Sequence, residues 1–514
     1  MKEKSDLIVI NGLVYTVDSV FSVKQAFAVT DGMIQATGSN EDIMGSFESQ
    51  LVVDAGGKPV YPGFIDGHCH FYGYALNKHQ ALDLKGTRSF AEILQKLLDF
   101  HKTHPSEWLI GRGWDQNDWE TREFPDNSLL DLHFPENPVV LTRIDGHAVL
   151  ANSVALHHAG ITAGTRISGG EVVVKNGRLS GLLVDNAADL MKSFIPGPEK
   201  VVKETAMEDA QADCFSYGLT SVTDAGLDFA TIRLMDSLQQ AGKLNIRINA
   251  MLSPTEENIR EFVERGTFRK ERLSVHSIKL YADGALGSRG ALLLEPYSDD
   301  PGNYGLLMDS PEYFREILTK AYEKGFQVNT HCIGDSANRM MLNLYGEILK
   351  GPNDRRWRIE HAQVIHPDDF QLFGKYHIIP SIQSTHCTSD MSWAEARLGP
   401  ERVKGAYAYK DLLLQNGWLI NGTDFPIEEI NPLLTFYAAV ARATENGDPS
   451  GGYHMENAIS REEALRSITI WAAKGSFEEE IKGSIEPGKY ADFVILDKDI
   501  MTVDQADIPH ISVL

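Results

Sequence analysis

Short apolar strands alternate with helical stretches through the middle of this 514-residue chain. Such alternation is typical of βαβ units and a parallel sheet. So many strand and helix pairs favour a closed (β/α)₈ barrel over an open sheet. The predicted inner strands are 64–66, 221–224, 246–251, 277–282, 327–330, 358–360, 378–382 and 419–422. The clearest helical stretches between them are 206–215, 311–324 and 336–349.

The two ends of the chain carry a different pattern. Residues 7–53 contain short alternating strands around an Asp31-Gly32 hairpin turn, and residues 483–497 carry a matching apolar strip. We predict that segments 1–60 and 470–514 form one composite β-sandwich, while segment 61–469 forms the barrel. The alternation of strands and helices is lost at about 90–200, which predicts an insertion over the barrel mouth.

Composition excludes several classes of protein. A net charge of −24 disfavours a nucleic-acid or anionic-membrane partner, because phosphate binding needs clustered Lys and Arg. No apolar run is long enough to span a bilayer, and we expect no secretory signal before the first strand. Four scattered cysteines suggest neither a disulfide framework nor a zinc ribbon. We expect a cytoplasmic protein with a small-molecule substrate, and the sequence leaves a homodimer open.

Polar residues stand where the predicted barrel strands end. Barrel enzymes place their chemistry at the carboxyl ends of the strands, so these side chains are expected on one rim. On the first strand, two histidines one residue apart project to the same side. The residues on this rim are His68, His70, Lys279, His331, His361 and Asp424.

This set of side chains suits a metal site. Zinc binds imidazole nitrogen and carboxylate oxygen, and bound water becomes a nucleophile near neutral pH. A nearby carboxylate can move the proton. Burial would lower the pKa of Lys279, and its neutral amine could take up carbon dioxide as a metal-bridging carbamate. Each residue alone has an ordinary interpretation: a hydrogen-bonded core histidine, an edge lysine, or a helix N-cap aspartate. Their joint placement favours the metal site.

Six segments resemble the amidohydrolase superfamily, in the branch that includes N-substituted formamide deformylases. They run almost from end to end of the chain, and together they are specific. The segments are PGFIDGHCH at 62–70, KLYADGALGSRGA at 279–291, HCIGD at 331–335, RIEHAQ at 358–363, GTDFP at 422–426 and GSIEPGKYAD at 483–492.

The resemblance implies an α/β fold with a distorted (β/α)₈ TIM barrel and a small β-sandwich built from both termini. It assigns His68 and His70 to a buried metal and two later histidines, His331 and His361, to a more exposed one. Carboxylated Lys279 would bridge the two metals. Two zinc ions per chain are expected, with one ion as the alternative.

Substrate contacts are less specific. His147 is expected to hydrogen-bond a substrate carbonyl, and a loop-stabilising role is an equal alternative. Trp114 is a candidate pocket wall, and Asp115 or Gln116 is a candidate polar contact. Arg289 could clamp an anionic group or pair with a structural carboxylate. Trp393 is expected to pack, and lining the site is the alternative.

The sequence therefore predicts a metal-dependent hydrolase that cleaves a non-peptide carbon–nitrogen bond, in an amide or an N-substituted formamide. A metal-activated hydroxide would attack the carbonyl, while Asp424 would bind metal and carry the proton to the leaving nitrogen. The alternatives are a deaminase or an ester or lactone hydrolase with the same metals. A catalytically silent barrel that only binds a ligand is the alternative outside enzymes.

Overall fold

Eight parallel strands form the central sheet of the protein. The computed structural model describes residues 2–103 and 107–514; Met1 and residues 104–106, which belong to the predicted terminal segment and insertion, lie outside them. The strands, paired in chain order, are β1 Phe64–Cys69, β2 Leu219–Leu227, β3 Arg247–Leu252, β4 Leu273–Tyr281, β5 Gln327–Cys332, β6 Arg358–His361, β7 Ile379–Ile382 and β8 Ile420–Asn421. Each of the eight predicted inner strands is found at its predicted place, so the α/β barrel class is confirmed.

The barrel closes between β1 and β8 at the carboxyl end. The Asp424 amide donates to the His68 carbonyl at 2.8 Å, although β1 and β8 do not form a regular ladder. Glycines permit this close approach: a Cβ on Gly422 would lie 2.4 Å from the His68 nitrogen. Asp66 fastens the same junction, because its carboxylate accepts from the Thr423 hydroxyl at 2.7 Å. The incomplete ladder makes this a distorted barrel, as predicted.

Helices surround the barrel, and capping residues mark where they begin and end. Helix Pro311–Lys324 begins with the Ser310 side chain accepting from the Tyr313 amide, and it ends at Gly325 with φ 78°. The other helices of this layer are Phe71–Gln80, Lys200–Ser216, Phe229–Gln240, Glu256–Glu261, Asp335–Leu349, Phe370–Tyr376, Ser384–Asp390, Ala394–Arg402, Tyr409–Asn416, Pro432–Ala441, Arg461–Ser467 and Ile470–Gly475. A short strand, Phe268–Arg269, pairs antiparallel with β4.

The segment between β1 and β2 forms its own mixed sheet. Its six strands, in spatial order, are Leu82–Asp83, Leu109–Trp114, Val139–Arg143, Ala148–Ala151, Arg178–Asp185 and Gly170–Lys175. Its helices are Phe90–Thr103, Ser128–His133, Ser153–His158 and Asn186–Ser193. Two hydrophobic clusters on this sheet give the segment a core separate from that of the barrel.

The protein has two further small sheets, and the second of them combines strands from both ends of the chain. The first contains, in order, Met33–Gly38, Ala26–Thr30, Leu7–Ile10 and Val52–Asp54; the second contains Phe493–Ile495, Pro59–Pro62, Leu13–Tyr15 and Val23–Lys24. Glu3–Lys4 pairs with Phe47–Glu48 beside them, next to helix Asn40–Ser46. Ala472 and Ala473 pack against the barrel instead, in contact with Ile65 and Ile420. The division at 60/61 and 469/470 stays a proposal.

Short 3₁₀ helices occur in the connections. They are Gln116–Asp118, Val263–Arg265, Pro367–Asp369, Val403–Gly405, Met455–Asn457 and Gln505–His510. None of the helices within the described ranges is both long and apolar enough to cross a membrane.

Candidate metal centre

A cavity of about 170 Å³ opens at the carboxyl ends of the barrel strands, and we call it the first chamber. Five of the six rim residues predicted from the sequence line it: His70, Lys279, His331, His361 and Asp424. The sixth, His68, is fully buried and lies beside this lining, with its Nε2 3.2 Å from Lys279 Nζ. Residues from five different strand ends therefore meet at one place.

The two histidines of β1 hold their rings in complementary ways. His68 Nδ1 lies 2.6 Å from Glu360 Oε2, and His70 Nδ1 lies 3.2 Å from the Ala225 carbonyl oxygen. Both Nε2 atoms then face Asp424 Oδ1, at 3.7 Å from His68 and 3.3 Å from His70. Fixing one ring nitrogen with an acceptor leaves the other to bind a metal, as in known metal sites.

Asp424 is central to the cluster. Its carboxylate is nearly buried, and Oδ1 has no hydrogen-bond partner. Burial opposes its ionisation, but His386, His70 and His68 hold the pKa of this carboxyl well below its usual range. The residue has φ 62°, a left-handed conformation that costs a non-glycine residue about 1–3 kcal/mol and is concentrated at functional sites.

Lys279 projects from β4 into the closed end of the chamber. Its side chain is fully buried, and among the residues with described side chains it has no carboxylate within ion-pair distance. Burial lowers its pKa to about 8, although Glu360 and Asp424 favour its charged form. The amine is therefore neutral more often than that of an exposed lysine, and carbamate formation requires the neutral amine.

His331 and His361 stand side by side at the ends of β5 and β6. Their ring centroids are 4.6 Å apart, and burial lowers the pKa of both imidazoles well below the usual value. His361 Nδ1 is buried without a hydrogen-bond partner, and the residue has φ 70°. Neutral imidazoles with unpartnered nitrogens are suited to metal binding.

Two functional candidates were missed in the sequence. His386 lies in the first turn of helix Ser384–Asp390, with its Nε2 3.4 Å from Asp424 Oδ2 and its ring stacked on His361. Burial opposes its protonation, yet Asp424 and Glu428 raise its pKa to about 9. Glu360 is the acceptor behind His68. A search extended past each strand end into the following helix would have included His386.

The side chains fit a divalent metal. Two groups of ligand atoms lie close enough to hold an ion: His68, His70 and Asp424, and His361, His386 and Asp424. Buried unpartnered atoms in these groups are His361 Nδ1, His386 Nε2 and Asp424 Oδ1. Buried polar atoms are rarely left without partners, so these atoms indicate a missing ligand. Imidazole with carboxylate is the donor set that zinc prefers.

His147 lines the first chamber from the insertion. Its Nδ1 lies 2.7 Å from Asp185 Oδ1, and its ring centroid lies 5.1 Å from that of His331. Burial works against protonation, but Asp185 raises the pKa of this imidazole above its usual value. The geometry leaves Nε2 available to a bound molecule beside the metal ligands.

Of the remaining residues predicted to contact the substrate, two line the chamber and the others lie elsewhere. Asp115 and Trp393 line the chamber, and Asp115 pairs with buried Arg143. Trp114 does not line it: this side chain lies in the insertion core, where its indole nitrogen donates to the Leu141 carbonyl at 2.9 Å. Arg289 is also outside the chamber lining and pairs with Asp299 at 3.0 Å, which corresponds to the structural alternative.

The chain is similar to known proteins over almost its whole length. The chain is 33% identical over 509 residues to the putative amidohydrolase YtcJ of Bacillus subtilis, covering 97% of this chain and 95% of that protein. It is 26% identical to N-substituted formamide deformylase of Arthrobacter pascens, covering 100% and 97%.

Among solved structures, an uncharacterized metal-dependent hydrolase from Pyrococcus horikoshii OT3 superposes with a TM-score of 0.78 at 28% identity, covering 97% of this chain and 99% of that one. The model of the amidohydrolase family matches residues 51–514. The chain belongs to the amidohydrolase family.

Proposed function

We propose that this protein is a metal-dependent hydrolase that cleaves a non-peptide carbon–nitrogen bond, in an amide or an N-substituted formamide. One observation carries the proposal: Asp424 Oδ1, buried without a hydrogen-bond partner, lies 3.7 Å from His68 Nε2 and 3.3 Å from His70 Nε2 at the inner end of the first chamber. The likeness to a relative named for formamide deformylation supports the choice of bond.

We assign the ligands as the sequence predicted them. His68, His70 and Asp424 would hold one ion, while His331 and His361 would hold a second. Lys279 would bridge the two as a carbamate, which forms when its neutral amine adds to carbon dioxide and releases a proton. A bound divalent metal supplies Lewis acidity toward a carbonyl oxygen and lowers the pKa of water.

The residues of the chain then move the proton and orient the substrate. Asp424 is ionised and can accept a proton from the attacking water, because its pKa is held low. It would return that proton to the departing nitrogen, so the amine leaves in neutral form. His147, fixed through Nδ1 by Asp185, would donate from Nε2 to the substrate carbonyl oxygen.

Several finer features complete the proposal. We propose zinc as the metal with two ions per chain, a single ion being the alternative. We further propose a cytoplasmic location, a small-molecule substrate, and no nucleic-acid or membrane partner. A homodimer remains the expected assembly if the chain associates. The composite β-sandwich of 1–60 and 470–514 is proposed to support the barrel of 61–469.

The test compares the native protein with Asp424→Asn on a panel of N-formyl and N-acyl amines, esters, lactones and aminated heterocycles. We expect amide hydrolysis that falls by at least about 100-fold in the variant. Turnover of heterocyclic amines or esters in place of amides would shift the assignment to a deaminase or esterase. Full activity in Asp424→Asn would contradict the proton-transfer role, and no turnover without any metal uptake would indicate a silent barrel.

A further inference from the structure

A second chamber of about 450 Å³ adjoins the first. His70 and His147 line both chambers, so a molecule over the metal ligands can extend from one into the other. The additional walls of the second chamber come from the insertion and from the first barrel helix, and they include Arg112, Lys192 and Asn77. The walls that this chamber does not share with the first one have no role in the proposed hydrolytic step.

The carboxylates of the second chamber already have basic partners. Asp185 lies 2.7 Å from His147, and Asp189 lies 2.6 Å from Lys192. Asp145 lies 2.5 Å from Arg143, which stands outside this chamber. Each of these carboxylates therefore has a basic side chain beside it, and Asp145 shares Arg143 with Asp115.

Arg112 is the cation of this chamber that pairs with none of these carboxylates. Over residues 2–103 and 107–514, no carboxylate lies within ion-pair distance of its guanidinium, and one nitrogen donates to the Ile144 carbonyl oxygen at 3.1 Å. Gly146 lies against the guanidinium without a side chain, since a Cβ there would be 3.6 Å from both terminal nitrogens. Burial lowers the pKa of Arg112, which reflects lost hydration that an anionic ligand would replace.

The first chamber has the opposite charge balance away from the metal ligands. Its wall carries Asp118, Asp390 and Glu428, and none of the three pairs with Lys or Arg in the described part of the chain. The arginine of this wall, Arg143, already pairs with Asp115 and Asp145, so the wall offers an anionic substituent no unpaired arginine, whereas the second chamber offers Arg112. The two chambers thus select one orientation of a charged substrate.

Resting on the proposed function, we infer that the second chamber binds a carboxylate of the substrate through Arg112, so that the hydrolysed amide carries an anionic group at one end. A guanidinium matches a carboxylate with two parallel hydrogen bonds. A singly charged group suits one unpaired cation, whereas a doubly charged phosphate would bring one more negative charge than Arg112 can neutralise.

The test uses the metal-loaded full-length protein and matched pairs of ligands. Each pair is an N-formyl ω-amino acid and the N-formyl alkylamine of equal length, with about two to six carbons in the chain, because the reach from metal to Arg112 sets the length. The readout is kcat/KM where the pair is hydrolysed and the dissociation constant by calorimetry where it is not. We expect a preference of about 10- to 100-fold for the carboxylate at the best length.

Variants test whether Arg112 causes the preference for the carboxylate ligand. Arg112→Met should abolish it, because the variant weakens the carboxylate ligand more than the neutral one, while Arg112→Lys should retain part of it. Arg178→Met, an exposed arginine of the same insertion, is the matched control and should change nothing. Metal content and thermal unfolding of Arg112→Met verify that the variant is folded, and the wild-type preference needs no variant at all.

The outcomes separate this inference from the proposed function. Hydrolysis of neutral amides with no carboxylate preference at any length would overturn the inference alone. Equal losses on both members of a pair in Arg112→Met would also overturn it. Absence of hydrolysis for every amide would remove the proposed function, while a carboxylate preference in binding that Arg112→Met abolishes would still support the anion site.

Discussion

Replacing Glu360 by glutamine removes one negative charge directly behind His68. The two side chains are fully buried, and Glu360 Oε2 lies 2.6 Å from His68 Nδ1. The carboxylate stays ionised, since burial raises its pKa but His68 and Arg358 lower it below the usual value. Glutamine keeps the size and can still accept the hydrogen bond, so the variant tests the charge.

The expected magnitude follows from the contact. A carboxylate behind a metal-binding histidine increases the basicity of the ring, and its loss weakens metal affinity by about 10- to 100-fold. This factor corresponds to about 1.4–2.7 kcal/mol. The assay is competition for zinc against a chelator of known affinity, combined with metal analysis of the protein after dialysis.

Glu478→Gln is the matched control. Glu478 is also buried, and it lies 2.6 Å from Lys482, whose Nζ contacts Ser221 near the start of β2, at the opposite end of the barrel. We expect this variant to lose stability without a change in zinc affinity. Equal weakening in both variants, or a change of less than twofold for Glu360→Gln, would refute the reasoning.

Three further perturbations test other parts of the account. Gly422→Ala places a Cβ 2.4 Å from the His68 nitrogen and should lower the free energy of unfolding by about 1–3 kcal/mol in urea titrations; an unchanged midpoint would contradict the close approach. Burial lowers the pKa of His276 to about 3, so native stability is complete above pH 6.5 and decreases as the pH falls toward 3. By pH 5 the free energy of unfolding is lower by about 2 kcal/mol, and His276→Gln should remove that part of the difference between pH 7 and pH 5. A pH dependence of stability equal to that of the wild type would be inconsistent with a buried neutral imidazole. Lys279→Met should reduce the metal content by one ion, and two retained ions would argue against a bridging role.

Much of the barrel was predictable because strand period and chain order determine it. Alternating side chains place His68 and His70 on one face, and parallel strands bring their carboxyl ends to one rim. Local sequence therefore carries the information for five strand-end positions. The curvature that closes β1 on β8 depends on Gly67 and Gly422, which are 355 residues apart and show no pairing signal in the sequence.

The missed and misplaced residues depend on three-dimensional packing. His386 follows β7 on a helix, so a pattern built on strand ends does not include it. Trp114 ends a strand whose Leu109 and Trp114 face the insertion core, so an aromatic side chain in a Gly-rich segment became core and not pocket wall. Arg112 stands out only when the partners of every nearby carboxylate are known.

The most direct test of the central claim is the metal content of protein purified without chelator, measured together with intact mass under non-denaturing conditions. The account predicts about two divalent ions per chain, most of them zinc, and a mass that includes a carboxyl group on Lys279. Protein that takes up no metal, even after reconstitution with zinc and bicarbonate, would contradict it.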